Sequence, residues 1–185
     1  MEHPTRSQAL DLLHEYQVPH HIIEHSMVVR RVATAIACSM VLRGVSLDIT
    51  LVDRAAMLHD ICKMHTVTSG GDHALLGQEL LSSMGYSLLG DVVGQHVHLR
   101  SFDLSEAMVV NYADKRVMHE KIVSVTRRFI DLMIRYGTDD ARRARIMAQH
   151  HKTLKIQDII AAASALDLSS LEMLHLIPSD KAFNG

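Results

Sequence analysis

Tryptophan is absent, and four Tyr and three Phe bring the aromatic share to only 4% of 185 residues. The interior must therefore be filled by Leu, Ile, Val, Ala and Met, and the 11 methionines read as core filler at helical spacing. Cysteine is almost as scarce. Cys38 and Cys62 lie in apolar helical stretches, which excludes a disulfide framework and leaves two reduced, buried thiols. An excess of positive charge is also missing: 19 Lys and Arg stand against 21 Asp and Glu, for a net charge of −2 with His neutral. That removes the broad basic footprint expected of a nucleic-acid binder, so no nucleic-acid partner is expected. No uninterrupted apolar run approaches membrane-spanning length, and the first ten residues contain no signal-peptide core. The expectation is cytoplasmic residence without a membrane partner.

Helical periodicity is present almost throughout. The 48% hydrophobic content suits a globular core, and the length suits one well-buried domain. The pattern predicts a short helix over 5–16, broken at Gln17-Val18-Pro19, then a helix over about 24–43 stopped by Gly44. The core stripe of that second helix is His25, Val28, Val32, Ile36 and Met40. A third helix begins at 46–48 and turns Val52, Ala55, Ala56, His59 and Lys63 inward. Residues 66–71 read as a loop, and Asp72 as the N-cap of a helix over 73–84 with His73, Leu76, Gly77 and Leu80 on one side. Further helices are predicted over about 88–98, 105–118, 120–136 and 139–151, with one or two more in 155–176. In the helix capped by Ser105, one face carries Ala107, Val110, Asp114 and Val117. No strand-like alternation is visible, and 178–185 reads as a tail. The fold class is all-α: a main domain over 1–138, with C-terminal helices in 139–185 packing on it.

Histidine is over-represented, at 14 residues, and it is the side chain that binds transition metals at neutral pH. His59 and Asp60 form an adjacent pair inside an apolar segment. A buried ionised carboxylate is costly unless compensated, and a divalent metal compensates it efficiently. Neighbouring residues diverge by roughly 100° around a helix, so both can face one ion only at a helix seam or end. His25 and Asp114 each interrupt an apolar stripe in the same way. Inward ligands on several helices are how helical bundles build metal sites.

At these residues the chain resembles the HD superfamily of metal-dependent phosphohydrolases. The resemblance runs from about His20 to Arg128. It rests on His25-Ser26, on Leu58-His59-Asp60-Ile61-Cys62-Lys63 near the HDIGK form, and on Tyr112-Ala113-Asp114-Lys115. Cys62 stands where the HDIG form has Gly. The resemblance implies a helical HD-domain fold with His25, His59, Asp60 and Asp114 as metal ligands. His73 and His96 match a subgroup whose two extra histidines complete a binuclear site. Four His and two carboxylates suit a pair of Fe or Mn ions, with Zn as an alternative, and Asp60 would be the natural bridge. Paired ions about 3.5–4 Å apart can deprotonate a shared water and grip phosphoryl oxygens. Lys63, one turn beyond His59, matches the family's cation, so Asp60 and Lys63 are the catalytic candidates. Arg100, Lys115 and Arg116 are lesser ones, and His98 competes with His96 as a donor. The nearest look is to small stand-alone bacterial HDIG hydrolases, including those that cleave diadenosine tetraphosphate symmetrically. The expected partner is a small phosphorylated substrate such as a nucleotide, and a homodimer is compatible with the sequence.

Three other readings compete, one of them a helical interaction protein whose histidines are placed by accident. A sensor of the same fold would bind metal or nucleotide without turnover. The run His21-Ile22-Ile23-Glu24-His25 matches a zinc-protease pattern, but Pro19 leaves His21 in a first helical turn at best. His3, His14, His20, His21, His65, His119, His150, His151 and His175 read as surface histidines.

Overall fold

The computed structural model describes residues 3–169, 171 and 172. The expectations for His175, for the end of the 155–176 stretch and for the tail lie outside the described residues. Thr5 opens α1 (Arg6–Glu15) with a capping box, its hydroxyl accepting from the Gln8 N–H while the Gln8 side chain accepts from the Thr5 N–H. The central helix α2 (His20–Leu42) starts directly behind Pro19, earlier than the apolar pattern indicated. Proline supplies a preset φ at a helix start, where no N–H is needed, and the Pro19 carbonyl accepts from Ile22 and Ile23.

Asp48 caps α3 (Ile49–Leu58) by accepting from the N–H groups of Thr50 and Leu51. This helix stops at Leu58, so the His59-Asp60 pair sits in a turn and not inside a helix. The chain then re-enters helix as α4 (Lys63–Ser69), where the sequence reading had a loop from 66 onward. Asp72 caps α5 (His73–Ser83), as its position before an apolar period suggested. The next helix, α6 (Ser87–Val93), ends before His96.

Ser105 caps α7 (Glu106–Asp114), which stops short of 118 because the chain turns into a small antiparallel hairpin. Its strands β1 (Val117–Met118) and β2 (Lys121–Ile122) pair Val117 with Ile122 and Met118 with Lys121. That hairpin takes the beginning of the predicted 120–136 helix, leaving α8 (Val125–Tyr136). The segment predicted as two or more helices from 139 onward is one 24-residue helix, α9 (Asp140–Ala163). Nothing between 151 and 155 breaks it, and the buried Thr153 hydroxyl donates to the Gln149 carbonyl within the helix.

α2 packs on α3 and α7, α6 lies against α3, α5 and α7, and α9 closes over α7 and α8. One continuous core results, and Val32, Ile36, Met40, Leu58, Leu89 and Met108 are fully buried. Each such side chain contributes roughly 1.5–3 kcal/mol on leaving water. By length and apolarity α2 would suffice to cross a bilayer, but here it is the core helix, and its Arg30 is paired to buried Asp53.

Asp53 ties three helices together. Its carboxylate, 2% exposed, accepts from Arg6 of α1 at 2.8 Å, from Arg30 of α2 at 3.4 Å and from the adjacent Arg54. A second tight point is Gly90, where α6 approaches α5 so closely that a β-carbon would stand 2.7 Å from the Gln78 carbonyl oxygen. That crossing fixes the start of α5 relative to the turn after α6, the two places that carry His73 and His96.

Candidate metal centre

Helix ends deliver most of the cluster. His59 and Asp60 occupy the turn after α3, His73 is the first residue of α5, His96 lies just beyond α6, and Asp114 is the last residue of α7. His25 reaches in from α2. These are the six residues expected to ligate metal, and the fold brings all six together. Their donor atoms form two groups, His25 with His59 and Asp114, and Asp60 with His73 and His96; within each, the atoms lie within 4.8 Å of one another.

The distances are specific. His25 Nε2 lies 3.2 Å from Asp114 Oδ1, and His59 Nε2 lies 3.7 Å from the same oxygen. Asp60 faces both groups. Its Oδ2 is 3.4 Å from His59 Nε2, while its Oδ1 is 3.2 Å from His73 Nε2 and 3.6 Å from His96 Nε2. Ligands about 2.1 Å from a tetrahedral ion are separated by about 3.4 Å along each edge, so these spacings suit ligands around a cation.

Ring orientation fits the same role. The Nδ1 atoms of His25, His59 and His96 each lie 2.8 Å from a main-chain carbonyl, those of His119, Ala56 and Val93 respectively. A carbonyl can only accept, so each Nδ1 carries a proton and each ring turns its Nε2 to the centre. His59 Nε2 is fully buried and has no hydrogen-bond partner, although two carboxylates stand near it. A buried, unpartnered imidazole nitrogen is the kind of group that a metal ion satisfies.

Charge and burial oppose each other at the carboxylates. Burial pushes Asp60 upward, but the charge and contact of His59, with the contacts of His73 and His96, hold it well below the usual carboxylate range. Burial also pushes Asp114 upward, and the Lys115 charge with His25 and His59 brings it well below. His59 is lowered by burial and raised further by Asp60 and Asp114, so its proton is held more tightly than usual. For His96 burial wins, and its affinity for a proton falls.

A pocket of about 270 Å³ opens beside this cluster, lined by His25 and Asp60 and by the cations Lys63, Arg128 and Arg135. Lys63 Nζ donates to Asp60 Oδ2 at 2.6 Å. Of the lesser candidates, Lys115 touches the centre: it is buried and donates to the His96 carbonyl and to Asp114 Oδ2. Arg100 instead pairs with Asp91 and Gln78, and Arg116 is buried against the Tyr112 hydroxyl and the Val123 carbonyl. Exposed His98 lines a separate small pocket with Phe102 and Asn111 and does not compete with His96.

Sequence reasoning missed three supports. Asn111, fully buried one turn before Asp114, donates to the carbonyls of Gln95 and His96. It interrupts an apolar run in α7 just as Asp114 does, and that was a usable signal. The His119 carbonyl was invisible because it is main chain. Arg128 lines the pocket from α8, and no local pattern distinguished it from its neighbour Arg127. Of the histidines read as surface residues, His21 is exposed and also lines the pocket, whereas half-buried His150 stacks on Phe129.

The HD domain family matches residues 22–173. The chain is also similar to the tRNA (cytidine(56)-2'-O)-methyltransferase of Thermoplasma volcanium, with 27% identity over 168 residues. That match takes in 82% of this chain and 47% of the methyltransferase, so the chain spans less than half of that relative's length. No solved structure matches.

Proposed function

The chain belongs to the HD domain family, and from that membership we propose that it is a metal-dependent phosphohydrolase cleaving a phosphoester or phosphoanhydride of a nucleotide or similar small molecule. One observation carries the reading: four imidazoles and two carboxylates from five segments converge beside a cation-lined pocket, three of the rings oriented by main-chain carbonyls.

In this reading His25, His59 and Asp114 would hold one divalent ion and His73, His96 and Asp60 a second, with the Asp60 carboxylate facing both groups. Iron or manganese suits the donors best, and zinc is the alternative. Bound divalent ions supply Lewis acidity and make a water a competent nucleophile near neutral pH. The protein supplies the rest. Lys63 stands over Asp60 Oδ2, placed to meet a phosphoryl oxygen and offset the charge that grows on it during attack. Lys115 and Asn111 hold the His96 carbonyl and keep that ring from drifting. Ile22, Met64 and Val67 add apolar lining to the pocket.

Methyl transfer belongs to the longer relative, and the six-ligand cluster favours hydrolysis for this chain. The test is metal analysis of untagged protein together with chromatography of the products formed from nucleotides and dinucleoside polyphosphates, before and after chelation. Metal-dependent hydrolysis supports the reading. Equal rates with and without metal overturn it, and metal-loaded protein that binds nucleotides but hydrolyses none of them is a sensor instead.

A further inference from the structure

We infer that Arg128 and Arg135 of α8 form a second anion subsite next to the metal cluster, selecting substrates with another phosphoryl group beyond the one attacked. This rests on the hydrolase reading and names the substrate feature that the site recognises.

Both residues line the pocket that also holds Asp60 and Lys63. Both also reach a single oxygen, Asp131 Oδ2, at 3.1 Å from Arg128 and 3.2 Å from Arg135. One carboxylate therefore serves two permanently charged groups, and the pair keeps an uncompensated positive charge. The Arg128 Nε is buried and has no hydrogen-bond partner, so the Asp131 contact leaves the Arg128 guanidinium only partly satisfied.

The wider charge pattern points the same way. Lys63 lines the same pocket as the two arginines, and Lys115 is buried beside Asp114. Within the protein, Asp60 answers Lys63 and Asp114 answers Lys115. Both carboxylates belong to the candidate metal groups, and metal binding would take them from the lysines. The loaded pocket would then be strongly positive, and among its described lining residues Glu120 would be the remaining carboxylate. One phosphoryl group at the ions and Lys63 leaves the α8 arginines over. Guanidinium groups match phosphate oxygens in paired hydrogen bonds, so a substrate with a neighbouring phosphoryl group would occupy them.

The experiment uses the metal-loaded 185-residue chain titrated calorimetrically with orthophosphate and with methylenediphosphonate, a diphosphate mimic that resists hydrolysis. Parent protein is expected to prefer the diphosphonate. Arg128→Gln and Arg135→Gln should each shrink that preference by about tenfold, the scale of a lost charge-assisted hydrogen bond, whereas exposed Arg142→Gln on α9 should leave it intact. Arg135 is the more exposed of the pair, so its variant keeps the test decisive if Arg128→Gln does not fold. Equal affinity for the two anions in parent protein, or an unchanged preference in Arg135→Gln, overturns the subsite even if phosphate esters are hydrolysed. A preference that the variants abolish, without hydrolysis of any substrate, retains the subsite and rejects the hydrolase.

Discussion

The Nε2 atoms of His73 and His96 face one another 3.0 Å apart, although one ring opens α5 and the other follows α6. The proton on His96 Nδ1 is committed to the Val93 carbonyl, so its Nε2 presents a lone pair. The facing nitrogen of His73 must then supply a proton, or both lone pairs must converge on one cation.

That relationship separates two variants. His73→Asn should retain about half of the metal bound by the parent protein, because His25, His59 and Asp114 remain as three donors. Asp60→Ala should fall well below that level and lose turnover, since its two oxygens face both groups. Elemental analysis of the folded variants reads the difference. Equal metal content in the two would refute the two-group arrangement.

Acidity should oppose metal loading. His59 is lowered by burial but raised more by Asp60 and Asp114, ending above its ordinary value of about 6.5. In metal-free protein its protonated form contributes stability that is fully present below about 6.5 and is lost as pH rises through the raised value. Metal must displace that proton, so the rise in Tm on adding metal should grow across the same upward pH window. His96, pushed down by burial, adds no competing proton there. Thermal melts with and without metal at several pH values test this, and a metal-induced gain that shrinks as pH rises contradicts it.

Lys115→Met keeps most of the side-chain length but removes the donor to the His96 carbonyl and to Asp114. Asn111→Ala removes the other donor to that carbonyl. Each should weaken metal binding by about 10–100-fold, the usual cost of losing a hydrogen bond behind a ligand. Competition against a chelator of known affinity measures it. Unchanged affinity in both variants would show that His96 is held by other contacts.

Asp53→Ala should destabilise the fold by about 3–5 kcal/mol, because Arg30 stays buried without its carboxylate. Urea denaturation gives the loss, and metal bound per folded molecule should not change. A variant as stable as the parent would mean that the other contacts of Arg30 offset its charge.

Much of this was legible from sequence because polar residues on apolar stripes are conspicuous. His25 on α2 and Asp114 on α7 stood out in that way, and the argument that adjacent His59 and Asp60 need a helix end or seam anticipated the turn after α3. Residues 66–71 misled the reading. Two threonines, a valine and paired glycines suggest a loop, yet α4 runs to Ser69, with the Thr66 and Ser69 hydroxyls bonding back to carbonyls of its own turns. The hairpin was hidden for another reason. Its two-residue connection, His119-Glu120, has no Asn-Gly or Asp-Gly signature, and His119 alone carries the positive φ of 55°. Long-range support, such as Arg128 lining the pocket, depends on where α8 packs and leaves no trace in local periodicity.

The carbonyls that aim His25, His59 and His96 belong to the peptide backbone, so substitution of a neighbouring side chain cannot delete them. Ring aim in this centre is thus inherited from chain path more than from the identity of adjoining residues. Descendants can drift far in sequence around the pocket, acquiring new leaving-group preferences, while the imidazoles go on pointing inward.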